Sequence, residues 1–429
     1  MPDVNLHVED ITRVEGHGDI VLNVKQGKIE ELRLEITESP RFYESMILGR
    51  RWDEVTHITC RICGICSIGH TSASLQAVEA ALGIQISQQT LLMRQLAFCG
   101  ETLQSHVLHV YYLVAPDLLG VPSVLPLVET HKEVVIMALR LKRLANDLCA
   151  VIAGRHIHPC AMKVKCFPHV PRKDDLRALR ERLVASMDDL MDSVSLLKTL
   201  QLPQVEREME FVSLYHPDEY ALYRGTEMIS SRGQRVTIPE YKQMFSEYVV
   251  AHSHAKHAAT ERGSYMVGAL ARFNNNHRQL RPRALEVATA LGLESGCMNP
   301  FMNNVAQVVE CVQCTLDAIE ILDKLCDLEL VLEDPTVEVK AGRGVGASEV
   351  PRGQLIHDYT FNDEGLVTEA NLVIPTGQNL NNIERDMHAF VPGILDRSQD
   401  EIRQFLEMLV RAYDPCISCA THLLRVKFV

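Results

Sequence analysis

Two pairs of cysteines stand near opposite ends of the chain, Cys63 with Cys66 and Cys416 with Cys419. Any fold that uses all four sulfurs at one point must bring the last segment back to the first. In each pair a two-residue spacer lets two thiolates converge on one metal, and thiolates select soft or borderline transition metals over magnesium or calcium. By spacing alone, the commonest outcome of such a pattern is a structural zinc site with four cysteines. The chain holds 13 cysteines in 429 residues. An odd number, in a sequence whose opening Met1-Pro2-Asp3-Val4-Asn5 shows no basic and apolar export signal, fits reduced thiols and metal ligands better than a disulfide framework. Cys99, Cys149, Cys297 and Cys326 lie in apolar or helical surroundings and read as small hydrophobes. Cys311 and Cys314 have metal-like spacing but no second pair nearby, and read as ordinary helix packing.

The pattern around these pairs implies an α+β fold that is mainly α. Ile20, Leu22 and Val24 share one face of a strand, Leu32, Leu34 and Ile36 share one face of the next, and Lys25-Gln26-Gly27-Lys28 supplies the turn of an antiparallel hairpin. From Gln88 to the low 330s the sequence reads as helical, most clearly where Leu176, Leu179, Leu183, Met187, Leu190, Val194 and Leu197 recur at three- and four-residue steps. Val305, Val308, Val309, Val312, Leu316, Ile319 and Leu322 mark a second such helix. Mixed structure follows Asp334, with extended runs from Leu366 to Ile374 and an amphipathic helix from Gln399 to Tyr413. The expected organisation is an N-terminal lobe over residues 1–85, a bundle of long helices over 86–333, and a mixed C-terminal segment over 334–429 that brings both cysteine pairs together. Gly342-Arg343-Gly344-Val345-Gly346 is glycine-rich, but no strand-to-helix unit surrounds it, so a dinucleotide-binding reading is weak.

The 43 basic and 56 acidic residues give a net charge of -13. That balance argues against nucleic acid as a partner and against a cationic membrane-surface protein. The apolar stretch from Val107 to Val128 is broken by His109, Asp117 and three prolines, so no membrane span is expected and a cytoplasmic location is.

The residues around the cysteine pairs carry the reading further. Arg61-Ile62-Cys63-Gly64-Ile65-Cys66 with His70, and Asp414-Pro415-Cys416-Ile417-Ser418-Cys419-Ala420-Thr421-His422, resemble the two motifs of nickel-iron hydrogenase large subunits. Four further stretches match in the same order: Thr12 to His17, Arg41-Phe42-Tyr43-Glu44 leading to Gly49-Arg50, Pro351-Arg352-Gly353, and Leu372-Val373-Ile374-Pro375-Thr376. The six matches run from residue 12 to residue 422. The resemblance is to the cytoplasmic, multi-subunit branch that includes sulfhydrogenases and NAD(P)-linked or heterodisulfide-reductase-linked enzymes.

The resemblance implies reversible heterolytic cleavage of hydrogen at a nickel-iron centre whose iron carries carbon monoxide and cyanide. It makes Cys63 and Cys416 terminal nickel ligands, and Cys66 and Cys419 bridging ones. Glu15 matches the relay carboxylate beside Cys416, expected to be buried and to hold its proton more tightly than usual. Arg352 matches the arginine over the open coordination position, where a fixed cation can assist proton removal. Pro351 and Thr376 are expected to line the diatomic ligands, and His70 to donate to a thiolate. Glu44, the Leu372 carbonyl and His422 match a magnesium site.

The sequence departs from the family pattern in three places. Ser105 stands where many relatives carry an aspartate, Lys165-Cys166 replaces paired glycines before Phe167, and the chain continues past His422 to Val429. Family precursors are cut after that histidine, so a maturation endopeptidase is an expected partner and 423–429 a removable tail. Apart from the motif pairs, the cysteines form no run suited to iron-sulfur clusters. An iron-sulfur small subunit, with further flavin or iron-sulfur subunits beyond it, is therefore expected to carry the electrons. Two other readings remain: a relative in a quinone-linked respiratory complex that kept the fold without the chemistry, and a zinc-stabilised scaffold. Retention of all four motif cysteines argues against the first, and metal analysis separates the second.

Overall fold

The computed structural model describes residues 3–422; the 423–429 extension lies outside them. Strands Val4–Val8, Asp19–Lys25 and Lys28–Glu35 form an antiparallel sheet in that order. Lys25 pairs with Lys28 across a two-residue turn in which Gln26 and Gly27 both have positive φ, 50° and 74°. Such a turn matches the twist of the strands it joins. Ile20, Leu22 and Val24 are fully buried, as their alternation predicts.

The helical core is built from Gln88–Leu108, Lys132–Ala153, Lys173–Leu197 and Asn303–Asp327. Leu176, Leu179, Leu183, Leu190 and Val194 of the predicted stripe are buried. Asn303–Asp327 is buried on nearly every side through its first half, which makes it the central helix. Ser87 caps the Gln88 helix by accepting the Thr90 N–H at 3.0 Å, and Ser398 with Glu401 forms a reciprocal capping box at the start of the last long helix, Gln399–Ala412.

One part of the helical reading is corrected. Between residues 210 and 266 the chain forms short strands, Glu210–Tyr215, Glu227–Ser230, Arg235–Thr237, Ser246–Tyr248, His257–Ala259 and Tyr265–Met266. The runs Phe211-Val212, Met228-Ile229 and Arg235-Val236-Thr237 are too short for a helical stripe, are rich in aromatic and β-branched residues, and are separated by Gly225 and Gly233, a combination that suits strands joined by turns.

The glycine-rich segment has a packing explanation. It opens the strand Gly342–Val350, which pairs antiparallel with Gly353–Phe361, itself paired with Val367–Val373. A Cβ at Gly344 or Gly346 would collide with the backbone carbonyl of Ala77 or Ala73. Glycine at every second position therefore lets the strand lie directly on the backbone of the helix Ser67–Leu82, whose alanines supply the matching flat face. This contact sets the site: the helix begins immediately after Cys66, and the strand ends at Val350, immediately before Pro351 and Arg352. No helix among the described residues is long and apolar enough to cross a membrane.

Gly346→Val is expected to destabilise the fold by ~1–3 kcal/mol, the usual cost of overpacking a tight contact. Thermal unfolding checks this; an unchanged Tm would contradict the packing account.

Candidate metal centre

The four motif sulfurs meet. Sγ of Cys63 lies 3.5 Å from that of Cys416, Cys66 lies 3.7 Å from Cys419, and Cys416 lies 2.7 Å from Cys419. One ligand atom from each falls within 4.8 Å of the others, and all four residues are buried. None of the four is in a disulfide. Four sulfurs bound at about 2.3 Å from a shared tetrahedral metal would stand roughly 3.7 Å apart, close to two of these separations. The donor set suits a borderline transition metal and excludes a hard one.

Local structure explains how two distant loops hold this arrangement. Cys63 Sγ accepts the backbone N–H groups of Ile65 at 3.3 Å and Cys66 at 3.2 Å. Contacts from Cys416, Cys419 and Cys66 hold the Cys63 thiol well below its ordinary pKa, while burial pushes Cys416 and Cys419 well above theirs. Arg41 ties the loops together, donating to the Ile62 carbonyl at 2.6 Å and to the Ser418 carbonyl. Gly16 permits a third tie. Its φ is +88°, and a Cβ there would sit 2.8 Å from Ser418 N, so only glycine lets the 15–16 backbone pair with 416–418. That pairing places the Ile417 N–H 2.8 Å from the Glu15 carbonyl.

Glu15 accepts from Cys416 Sγ at 3.0 Å and from Ser418 N at 3.1 Å, and it also accepts from the Ser418 hydroxyl. Its surroundings are half-buried rather than closed, which corrects the expectation of a buried carboxylate. Arg352 is 3% exposed. Its guanidinium donates to Asp414 Oδ1 at 2.9 Å and to Ser105 Oγ at 3.4 Å. Although burial opposes its charge, Asp414 and the neighbouring thiols of Cys416, Cys66 and Cys63 raise its pKa well above the ordinary value. The carboxylate facing this arginine is thus Asp414, at a left-handed φ of 51°, and Ser105 is the second acceptor.

These observations match the comparisons with known proteins. A family profile described as nickel-dependent hydrogenase matches residues 41–134 and 208–422, and one described as HoxL-like matches residues 5–39. The chain belongs to the nickel-dependent hydrogenase family. This hydrogenase is 32% identical over 421 residues to the alpha chain of sulfhydrogenase 1 of Pyrococcus furiosus, covering 98% of each chain. It is 26% identical over 472 aligned positions to the beta chain of the NAD-reducing hydrogenase HoxS of Cupriavidus necator, covering 98% of this chain and 95% of the relative. Among solved structures it resembles an NAD+-reducing [NiFe]-hydrogenase in the H2-reduced state, with a TM-score of 0.88, 27% identity, and coverage of 98% and 99% of the two chains.

The remaining sequence-predicted residues fall around the same centre. Thr376 is the second residue of the helix Pro375–Phe390, and its hydroxyl oxygen accepts the Cys416 N–H at 2.8 Å, leaving its own proton free to donate elsewhere. Pro351 is buried beside Arg352, and its carbonyl accepts from Arg272 at 3.0 Å. His70 Nδ1 meets His357 Nε2 at 3.1 Å, and the Cys63 thiol is close enough to act on the ring's charge. Burial pushes His70 down to about 4, which leaves it neutral near pH 7. Glu44, Leu372 and His422 come together, with His422 Nε2 2.8 Å from the Leu372 carbonyl and 3.4 Å from Glu44 Oε1. Burial opposes ionisation of Glu44, but His422 and Lys256 hold it down to about 2.

Several participants lay outside the sequence reading. Lys256 Nζ reaches Glu44 at 3.3 Å. Glu101, completely buried, accepts the N–H groups of Ile68 at 2.6 Å and Gly69 at 2.8 Å and so anchors the helix that starts at Ser67. His357 and Asp414 act through partners far away in sequence, for which a linear pattern holds no signal. Arg41 was visible within one of the matching motifs, yet its role as a clamp was not.

Arg41→Met should leave the Ile62 and Ser418 carbonyls short of a donor, at a cost of about 1–3 kcal/mol, concentrated where the two loops meet. Nickel content per purified chain is expected to fall severalfold; full nickel occupancy would contradict the clamp.

Proposed function

We propose that this hydrogenase is the large subunit of a nickel-iron enzyme that cleaves hydrogen heterolytically and reversibly, and that the convergence of four buried sulfurs near Arg352 is the observation that carries the reading. Cys63 and Cys416 would be terminal ligands to nickel, and Cys66 and Cys419 would bridge nickel to an iron bearing carbon monoxide and cyanide. Such a centre, when bound, supplies the site at which hydrogen is polarised and its electrons are taken up.

The chain's own residues supply the rest. Cys416 Sγ, 3.0 Å from Glu15, is placed to pass a proton to that carboxylate. Glu15 is half-buried, so it can hand the proton outward without moving through the core. Arg352 holds a fixed positive charge over the sulfurs, in surroundings that exclude water and so strengthen its field. Thr376 fixes the Cys416 backbone and has a hydroxyl proton that it could donate to a cyanide ligand, and Pro351, buried beside Arg352, would line the diatomic ligands. His70, neutral and held by His357, orients the helix behind Cys66. Glu44, the Leu372 carbonyl and His422 would hold a magnesium ion, whose hard oxygen preference suits two of the three donors, and pin the last segment in place.

The relatives' names, the alpha chain of a sulfhydrogenase and the beta chain of an NAD-reducing hydrogenase, support further subunits. We infer an iron-sulfur small subunit beside the centre, flavin or iron-sulfur subunits beyond it, and a cytoplasmic location. We also infer removal of 423–429 by a maturation endopeptidase, with active protein ending at His422 in an intact-mass measurement and a retained Val429 contradicting it. The division at residues 85 and 333 is kept as a reading of chain organisation, with 210–266 as an inset of strands in the middle part.

Cys416→Ala is expected to abolish both nickel retention and hydrogen-dependent dye reduction. Glu15→Gln is expected to keep nickel and iron at wild-type levels while slowing turnover about 100-fold, the scale of a lost proton-transfer group. Normal nickel content and turnover in the first variant, or unchanged turnover in the second, would overturn the assignment.

A further inference from the structure

A second cluster of metal-ligating side chains lies apart from the four sulfurs. His252 and His257 flank a short segment before and at the start of the strand His257–Ala259, and Glu384 comes from the helix Pro375–Phe390. One ligand atom from each residue lies within 4.8 Å of the other two. His252 Nε2 is 2.8 Å from Glu384 Oε1, and the two imidazole rings stand edge-to-face with centroids 5.7 Å apart. We propose that His252, His257 and Glu384 form a binding site for one divalent transition metal of the zinc class, with water completing its coordination.

Three observations converge on a ligand. His257 is 2% exposed, and its Nε2 is buried with no hydrogen-bond partner. A buried imidazole nitrogen left unpaired is costly, and a metal ion satisfies it. Burial, and then the nearby His252, push His257 down to about 4, so its ring is neutral and able to coordinate at neutral pH. The donor chemistry is selective: two imidazoles and one carboxylate form the three-protein-ligand set of zinc with an open fourth position. Nitrogen donors disfavour magnesium and calcium, and the absence of sulfur from the cluster disfavours copper(I). His252 and Glu384 keep 24% and 17% of their side chains exposed, which gives an ion and its water a way in.

The surroundings are already ordered for such a role. Glu384 Oε1 also accepts the Leu34 N–H at 3.1 Å, which helps to orient the carboxylate. The Ile36 N–H donates to the His252 carbonyl at 3.3 Å, and the His254 N–H donates to the Ile36 carbonyl at 3.0 Å. A metal here would join the N-terminal sheet, the 252–257 segment and the helix Pro375–Phe390. That is a structural staple, and it stands independently of the nickel-iron reading.

The test uses the purified holoenzyme with its natural partners, dialysed free of loose metal and titrated with zinc, with uptake followed by metal analysis and zinc-edge X-ray absorption. The expected result is one zinc per chain with a nitrogen and oxygen shell. His252→Gln and His257→Gln should each weaken it at least 10-fold, with nickel content and hydrogen-dependent dye reduction unchanged. Because His252 is partly exposed, its variant decides the matter even if His257→Gln folds poorly. Equal zinc uptake by wild type and His252→Gln, a shell made of sulfur, or no uptake at excess zinc would each overturn the proposal.

Discussion

Four sulfur atoms drawn from residues 353 apart must share one buried point, and most of the remaining structure follows from that demand. Thiolates brought so close repel each other, and burial adds to the cost of their charge. The chain answers with the Arg352 cation nearby and backbone N–H groups aimed at Cys63. The metal itself is expected to supply the larger share of compensation, because thiolate ligation couples metal binding to folding. Closing so long a loop is not the difficulty, since its entropic cost grows only slowly with length. Accuracy is the difficulty, and it is met locally by Arg41, by the backbone pairing of Glu15 with Cys416, and by the Thr376 hydroxyl.

Behind this inner layer lies a rigid frame. The glycine-bearing strand rests on the Ser67–Leu82 helix, so the helix start at Cys66 and the strand end before Arg352 move as one piece. Arg272, fully buried, fixes the same corner by donating to the carbonyls of Val350 and Pro351, both at 3.0 Å. Its own charge is balanced by Glu310 and Glu349. Burial opposes ionisation of Glu310, but Arg272 and His106 hold it down to about 2, whereas burial lifts Glu349 to about 7. The guanidinium thus sits between two buried carboxyl groups and hydrogen-bonds to both. The backbone that carries Arg352 is thus fixed by a buried network, while Asp414 and Ser105 hold its guanidinium.

What the sequence disclosed follows a physical division. Features written into contiguous residues were legible: the N-terminal hairpin, the stripes on Lys173–Leu197 and Asn303–Asp327, the amphipathic helix Gln399–Ala412 and both cysteine pairs. The short strands between 210 and 266 were not, because a run of two to six residues gives too few periods to distinguish strand from helix. The glycines at 342, 344 and 346 were visible, yet their reason lay in a helix far earlier in the chain. Long-range polar partners fared worst. The His357 partner of His70 lies 287 residues away, and the Asp414 partner of Arg352 was hidden inside a motif read for its cysteines.

The central claim is that Cys63, Cys66, Cys416 and Cys419 jointly hold nickel. X-ray absorption at the nickel edge of the native complex tests it most directly. The account predicts a nickel shell dominated by sulfur, with iron as the next heavy neighbour; a nickel-free protein, or nickel held by nitrogen and oxygen alone, would contradict it.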